Sequence, residues 1–327
     1  MSIPMPCGEP VDMQRIMGQE HVKRALEVAA AGGHSLFLIG APESGKTTLA
    51  RALFGLLPPL SEAEAVDVTV MASLARPSGE ESPPVDRRPC VAPRPDASRA
   101  VLYGGGAKRL RPGAVSRAHR GLLLLDDLPA LGPKLAPLAA ILDDRTVSVE
   151  RAGVTQVLPA AFQLVATARP CPCGWFGDPE AICTCTPALV RRYQQRLPAA
   201  LRDRIELHLE VPRVAYERLT SGRLGEPSAA VRERVIVARQ RQSNRFADSP
   251  GRATNAEMGP EEVRTHCALD AAGHSLMKAA VRQLDLSAGA YQRTLRLART
   301  IADLAGAEQI GPAHLAESLQ YRGRPTL

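Results

Sequence analysis

Apolar positions recur at helical spacing over residues 19–31, where Val22, Ala25, Leu26, Ala29 and Ala30 form one stripe. Gly32-Gly33 ends that stripe, and an unbroken apolar run over 35–39 predicts a buried strand. Two further runs, 121–125 and 162–167, predict two more buried strands. Between them, helices are expected over 47–53 and over 133–142, the latter with proline near its start. Residues 146–150 and 154–158 flank Ala152-Gly153 and predict a hairpin. Residues 75–99 carry Pro77, Pro83, Pro84, Pro89, Pro93 and Pro95 and read as a long irregular loop, with Gly104-Gly105-Gly106 a further turn. From about residue 214 to 258 the chain turns polar and arginine-rich, with one helix expected over 228–242. The remainder reads helical, most strongly over 290–305, where Leu297, Ile301 and Leu304 align. Strands alternating with helices predict an α/β fold with a mostly parallel sheet. No internal repeat is visible.

Composition adjusts this picture in four ways. A chain of 327 residues has room for about two domains. Hydrophobic residues make up 45% and aromatics 3%, so the core is aliphatic. The net charge of +7 is compatible with nucleic acid but equally with an arginine-using oligomer. No apolar run reaches the length of a membrane span and the first residues lack a signal-peptide core, so a cytoplasmic location is expected. Four of the seven cysteines cluster, which points to a metal or a local thiol site rather than a disulfide framework; Cys7, Cys90 and Cys267 read as scattered and inert.

The chemistry concentrates at Gly40-Ala41-Pro42-Glu43-Ser44-Gly45-Lys46-Thr47, followed by Thr48. The eight residues match G-x-x-x-x-G-K-[ST], the phosphate loop of nucleoside triphosphatases. A strand before it and a helix after it are what the task requires, because the amides of the turn and the helix N-terminus face an anion. Lys46 is placed to reach β/γ-phosphates and Thr47 to ligate Mg²⁺. The run ending in Asp126-Asp127 fits an apolar strand carrying an acid at its carboxyl end: Asp126 for Mg²⁺ and Asp127 for the attacking water. The plainer alternative is a strand closing in a solvated acidic turn.

Residues 17–34, Met17-Gly18-Gln19-Glu20-His21-Val22-Lys23-Arg24-Ala25-Leu26 onward, together with Cys171-Pro172-Cys173-Gly174, Arg191-Arg192-Tyr193, Asp203-Arg204-Ile205-Glu206-Leu207-His208 and the segment 298–306, closely resemble the magnesium-chelatase-like AAA+ ATPases of the ComM competence type. The resemblance runs from about Asp12 to Arg322. It implies an AAA+ phosphate-loop NTPase core (a parallel sheet flanked by helices) with a C-terminal α-helical lid, binding ATP and Mg²⁺ and working as a homo-oligomeric ring, with a hexamer the expected size. It further implies an N-terminal domain of Lon-protease-like or ribosomal-S5-like fold in full-length members, and no such domain is expected within these residues. The expected division is a tail over 1–10; a core over 11–213 with inserts at 75–107, 145–159 and 171–185; a linker with one helix over 214–257; and the lid over 258–327. Position by position, Gly40, Gly45, Lys46 and Thr47 match the phosphate loop, and Asp126 and Asp127 the metal and water positions. Arg204 resembles the arginine finger that reaches a neighbour's γ-phosphate, and Arg293 the sensor arginine of the lid; a surface ion pair is the alternative for each. The 147–158 hairpin matches an insert that in related rings points into the central channel. Arg145 and Arg151 beside it either touch a nucleic-acid backbone or form a solvated turn.

Three departures fall on the hydrolysis machinery. Glu43 stands where the family typically has Gly and adds a carboxylate beside polyphosphate. Asp127 is one methylene shorter than the usual Glu. Arg169 takes the place of the sensor Asn, and an arginine only donates hydrogen bonds. The family's Pro-His-His segment is here Pro93-Arg94-Pro95. Cys171, Cys173, Cys183 and Cys185, spaced C-x-C, nine residues, C-x-C, offer a tetrahedral Zn²⁺ site, with reduced structural thiols or a redox pair as alternatives. Trp175-Phe176 in the same loop either stacks on bases or packs against protein. Three functions stay open: an ATP-driven ring motor on branched or single-stranded DNA in recombination or transformation, a nucleotide-binding switch with weak or no hydrolysis, and a chelatase-like ATPase subunit driving metal insertion.

Overall fold

The three apolar runs become the centre of one parallel sheet in the computed structural model, which describes residues 7–76, 85–106, 110–151, 154–220, 222, 224–249 and 251–322, with residues 151 and 219 described by backbone alone. Strands follow in chain order as β1 (Leu36–Ile39), β2 (Cys90–Val91), β3 (Gly104–Gly105), β4 (Arg111–Pro112), β5 (Leu122–Leu125), β6 (Thr146–Arg151), β7 (Val154–Pro159), β8 (Gln163–Ala168) and β9 (Leu207–Glu210). The main sheet has the order β2-β5-β8-β1-β9, every pair parallel. β1, β5 and β8 are buried along their whole length, because helices cover both faces.

The pleat divides the core in two. Leu36, Leu38, Leu122, Leu124, Leu207 and Leu209 face helices Glu20–Gly32, Lys46–Leu56 and Ser228–Arg245. Phe37, Ile39, Leu123, Leu125, Leu164 and Ala166 face the other way, with the helical segments between β5 and β6 and around Leu201. Helix Ser228–Arg245 lies in the stretch read from its polarity as a linker. It buries Val231, Val235 and Ala238 in the first of these cores, one apolar stripe on an otherwise polar helix. A separate helical core gathers Phe246, Met258, Val263, Met277, Leu295, Ala302 and Leu315 from the C-terminal region. The architecture is a parallel α/β core with a C-terminal helical region, as expected.

Several expectations change. The stretch read as irregular loop contains β2, an edge strand, and the helix Arg99–Tyr103. Residues 133–142 divide into a 3₁₀ turn, Gly132–Leu135, and a helix, Leu138–Asp144; Pro137 at the junction has no amide to continue one helix. Cys7 and Cys90 are joined in a disulfide with Cα atoms 5.4 Å apart, and the Cys7 amide donates to the Cys90 carbonyl at 3.3 Å. This corrects the reading of both cysteines as scattered and inert, and of residue 7 as part of the tail. A separation of 83 residues carries no local spacing signal. Cys267 is free and buried. Residues 1–6, Ala152-Gly153 and the Arg151 side chain lie outside the described residues. The hairpin β6–β7 forms as expected, and Val154 and Val157 stand exposed near its tip. Among the described residues no helix is long and apolar enough to cross a membrane.

Candidate nucleotide site

Parallel strands place all their carboxyl ends on one edge of the sheet, and here the sequence-predicted chemistry collects. The phosphate loop leaves β1, Asp126-Asp127 leaves β5 and Arg169 leaves β8, with β8 lying between the other two. Gly40 is required by crowding: a Cβ there would lie 2.3 Å from the Val211 carbonyl oxygen. Ala41 and Ser44 are buried, Pro42 is half-buried, and Thr48 is exposed on the first turn of helix Lys46–Leu56. Gly45 caps that helix at φ 90°, leaving first-turn amides pointed at the loop. Glu43 is exposed and holds φ 63°, a conformation that favours glycine and accounts for the residue expected there.

Lys46 Nζ donates to the Gly40 carbonyl at 2.9 Å, the Ala41 carbonyl at 2.6 Å and Ser44 Oγ at 3.3 Å. Burial pulls its pKa down, opposed by the charge of Asp126. Its ammonium is thus gathered among oxygens that a phosphate would replace. Thr47 Oγ1 lies 3.3 Å from Asp126 Oδ1, and these two side chains would hold Mg²⁺ beside the phosphates. Thr167 Oγ1 also donates to Asp126 and accepts the Asp127 amide at 3.0 Å. Thr47, Asp126 and the loop therefore fit Mg²⁺ with a triphosphate.

Asp127 is differently placed. It sits at φ 50°, and both carboxylate oxygens are engaged. Arg169 Nη2 donates to Oδ2 at 3.1 Å, and the Tyr193 hydroxyl donates to Oδ1 at 3.1 Å. Burial lowers the Arg169 pKa, but the Asp127 carboxylate and Tyr193 outweigh it and the net direction is up. Burial and then the Asp127 charge push the Tyr193 hydroxyl up, so it remains a donor. Arg169 thus ties down the carboxylate expected to hold water. Sequence reasoning gave no role to Tyr193 or Thr167; the aromatic lay within a quoted motif, but its target was visible only in three dimensions.

Arg204 and Arg293 lie at the other end of the sheet. They line a cleft of about 550 Å³ with Ser35, Gly121, Gln163 and Glu206, residues at the amino ends of β1, β5, β8 and β9. Arg204 pairs with Asp143 at 2.6 Å and is half-buried. Burial lowers the Arg293 pKa, and its buried Nε has no partner among the described residues. Arg296 and Arg239 line the same cleft. Arg145 there pairs with Glu257 at 2.6 Å, so in this chain it serves the junction with the C-terminal region rather than an open basic turn.

The four loop cysteines converge. Their Sγ atoms all lie within 4.8 Å of one another, with Cys171 to Cys173 at 3.3 Å and Cys171 to Cys183 at 3.8 Å. A tetrahedron of thiolates about 2.3 Å from zinc has edges of about 3.8 Å, so the donor set fits that ion. The Gly174 amide donates to Cys171 Sγ at 3.2 Å, fixing one ligand from outside the cluster. Trp175 packs beneath Arg213, whose guanidinium lies 4.4 Å from the ring centre, and Phe176 is exposed.

The chain is similar to known proteins over almost its whole length. Residues 12–219 match the family described as magnesium chelatase, subunit ChlI, and residues 225–322 match the ChlI C-terminal family. The chain is 38% identical to the competence protein ComM of Haemophilus influenzae over 95% of its own length and 60% of that protein. It is 39% identical to an uncharacterized protein of Mycobacterium tuberculosis over 95% of its own length and 61% of that protein. To the magnesium-chelatase 38 kDa subunit of Cereibacter sphaeroides it is 30% identical over 50% of its length and 53% of that subunit. The chain spans about three-fifths of the length of the first two relatives. It belongs to the magnesium chelatase ChlI family of AAA+ proteins.

Proposed function

We propose that this chain is the ATP-binding module of a ring-forming motor that acts on DNA. The observation that carries the reading is the alignment of Thr47 and Asp126 beside Lys46 at one end of the sheet, with Arg204 and Arg293 at the other. Copies stacked head to tail would bring the arginine end of one against the phosphate loop of the next, as a shared nucleotide site requires. Mg²⁺ would be held by Thr47 and Asp126 and neutralise charge on the β- and γ-phosphate oxygens. The net charge of +7 and the β6–β7 hairpin, with Val154 and Val157 exposed, support a polyanionic track. The resemblance to a competence protein points the same way. A second reading, a ring component that binds nucleotide but turns it over slowly, is favoured by the Arg169–Asp127–Tyr193 cluster. A chelatase-like role is supported by the family's name and by more distant relatives such as the 38 kDa subunit, which match about half of the chain.

The test is ATP turnover with and without forked DNA, alongside particle size with and without nucleotide. The motor predicts ATP-dependent assembly and turnover stimulated by forked DNA and lost at high salt. Assembly without turnover would select the second reading, and no assembly would contradict both.

Zinc at the four cysteines is part of this proposal. Protein purified without chelator is expected to carry about one equivalent, and less than about a tenth would remove zinc from the account.

A further inference from the structure

We infer that the four-cysteine loop forms the outer wall of the pocket for the nucleoside end of the bound nucleotide, with Phe176 as the stacking surface for its base. The inference rests on the phosphate-loop reading and adds to it.

A second cavity, of about 390 Å³, opens beside the phosphate loop. It shares Gly40 and Ala41 with that loop, so a ligand anchored by its phosphates on Lys46 reaches it without a gap. Its volume falls in the range of small-molecule sites. Ile39, Val211 and Phe176 supply apolar walls, while Asp178, Glu180 and Glu210 bring carboxylates to its rim. Arg213 lines the cavity too and pairs with Asp178 and Glu180, but the carboxylates outnumber it, so the cavity suits the hydroxyl and amino groups of the uncharged end of the nucleotide better than phosphate. Phe176, 38% exposed, offers a ring face for a base.

One side of that wall, Gly174 and Phe176 to Glu180, comes from the cysteine loop, and the loop is held in place at three points. Gly174, at φ 90°, lies against Pro42 so closely that a Cβ would stand 2.5 Å from its ring. Arg169 Nη1 donates to the Pro172 carbonyl at 3.0 Å while Nη2 holds Asp127. Arg213 covers Trp175 and pairs with Asp178 and Glu180 at 3.8 Å each. Between Ala168 and Pro187 the chain has neither helix nor strand. The cysteine cluster ties the two ends of this stretch together beside those contacts, and Phe176 lies inside the span it closes.

The test compares binding of Mg·ATP with that of Mg·tripolyphosphate, which has the phosphates and no nucleoside. Three proteins are titrated by calorimetry: the wild type, Phe176→Ala, and Cys183→Ser with Cys185→Ser. Fluorescence of Trp175, the only tryptophan, reports the loop, and circular dichroism reports the fold. The wild type is expected to prefer ATP by about fivefold to a hundredfold. Phe176→Ala is expected to lose most of that preference with tripolyphosphate affinity unchanged, and the double cysteine variant to lose it with an altered Trp175 signal. Equal binding of both ligands by the wild type, or an ATP preference intact in Phe176→Ala, overturns the inference and leaves the phosphate-loop reading standing. Preference retained by a folded double cysteine variant overturns the part assigned to the cysteines. Failure of the wild type to bind either ligand brings down both.

Discussion

Lys46→Ala is expected to reduce ATP affinity by at least about thirtyfold and to abolish whatever turnover the wild type has. The reason lies in how the ammonium is held. Lys46 is half-buried and donates to three oxygens of its own loop, so it is already oriented for oxygens of a polyanion. Removing it leaves the amides of the loop and of helix Lys46–Leu56 as the loop's remaining phosphate donors and takes away the ammonium charge that Asp126 now faces. The fold should tolerate the change. The first-turn amides of that helix are capped by a glycine rather than by Lys46, and the helix is anchored by Leu49, Leu53 and Leu56 in the core. Calorimetry for affinity and phosphate release for turnover would check it; wild-type affinity in a folded variant would show that triphosphate is not held here.

Freeing the second carboxylate should act in the opposite direction. Arg169→Asn combined with Asp127→Glu is expected to raise ATP turnover by about tenfold to a hundredfold. In the wild type, Asp127 accepts from Arg169 at Oδ2 and from Tyr193 at Oδ1, so one site on each oxygen is taken and the guanidinium offsets the charge that would polarise a water. The asparagine removes the cation, and the extra methylene carries the carboxylate beyond the Tyr193 hydroxyl. Each change alone should do less, since Arg169→Asn leaves a short acid and Asp127→Glu leaves the guanidinium in place; the two should couple. Arg169 also holds the Pro172 carbonyl, so Trp175 fluorescence is the control for a loosened loop. Turnover in the double variant no higher than in the wild type would mean that Arg169 does not restrain hydrolysis.

Much of the site was legible because its parts are local. An apolar run, a glycine-bearing turn and a helix start are written within about a dozen residues, and Leu122–Asp127 carries its acids at the end of its own strand. The cysteine cluster was legible for the same reason. What escaped the sequence depends on contacts far along the chain. β2 and β9 are too short to show a period, and pairing with β5 and β1 makes them strands. The Cys7–Cys90 link joins residues 83 apart. The partners of Asp127 come from β8's end and from helix Pro187–Gln194. The cleft around Arg204 and Arg293 draws its arginines from segments scattered between residues 88 and 296, and polarity alone made helix Ser228–Arg245 look like a linker although one stripe of it is core.

The most direct measurement is a calorimetric titration of the intact chain with ATP at millimolar concentration, with and without Mg²⁺. Saturable heat that strengthens with Mg²⁺ and disappears in Lys46→Ala is the predicted result. No heat of uptake by the folded wild-type chain would contradict the account, for the motor and for the slow ring component alike.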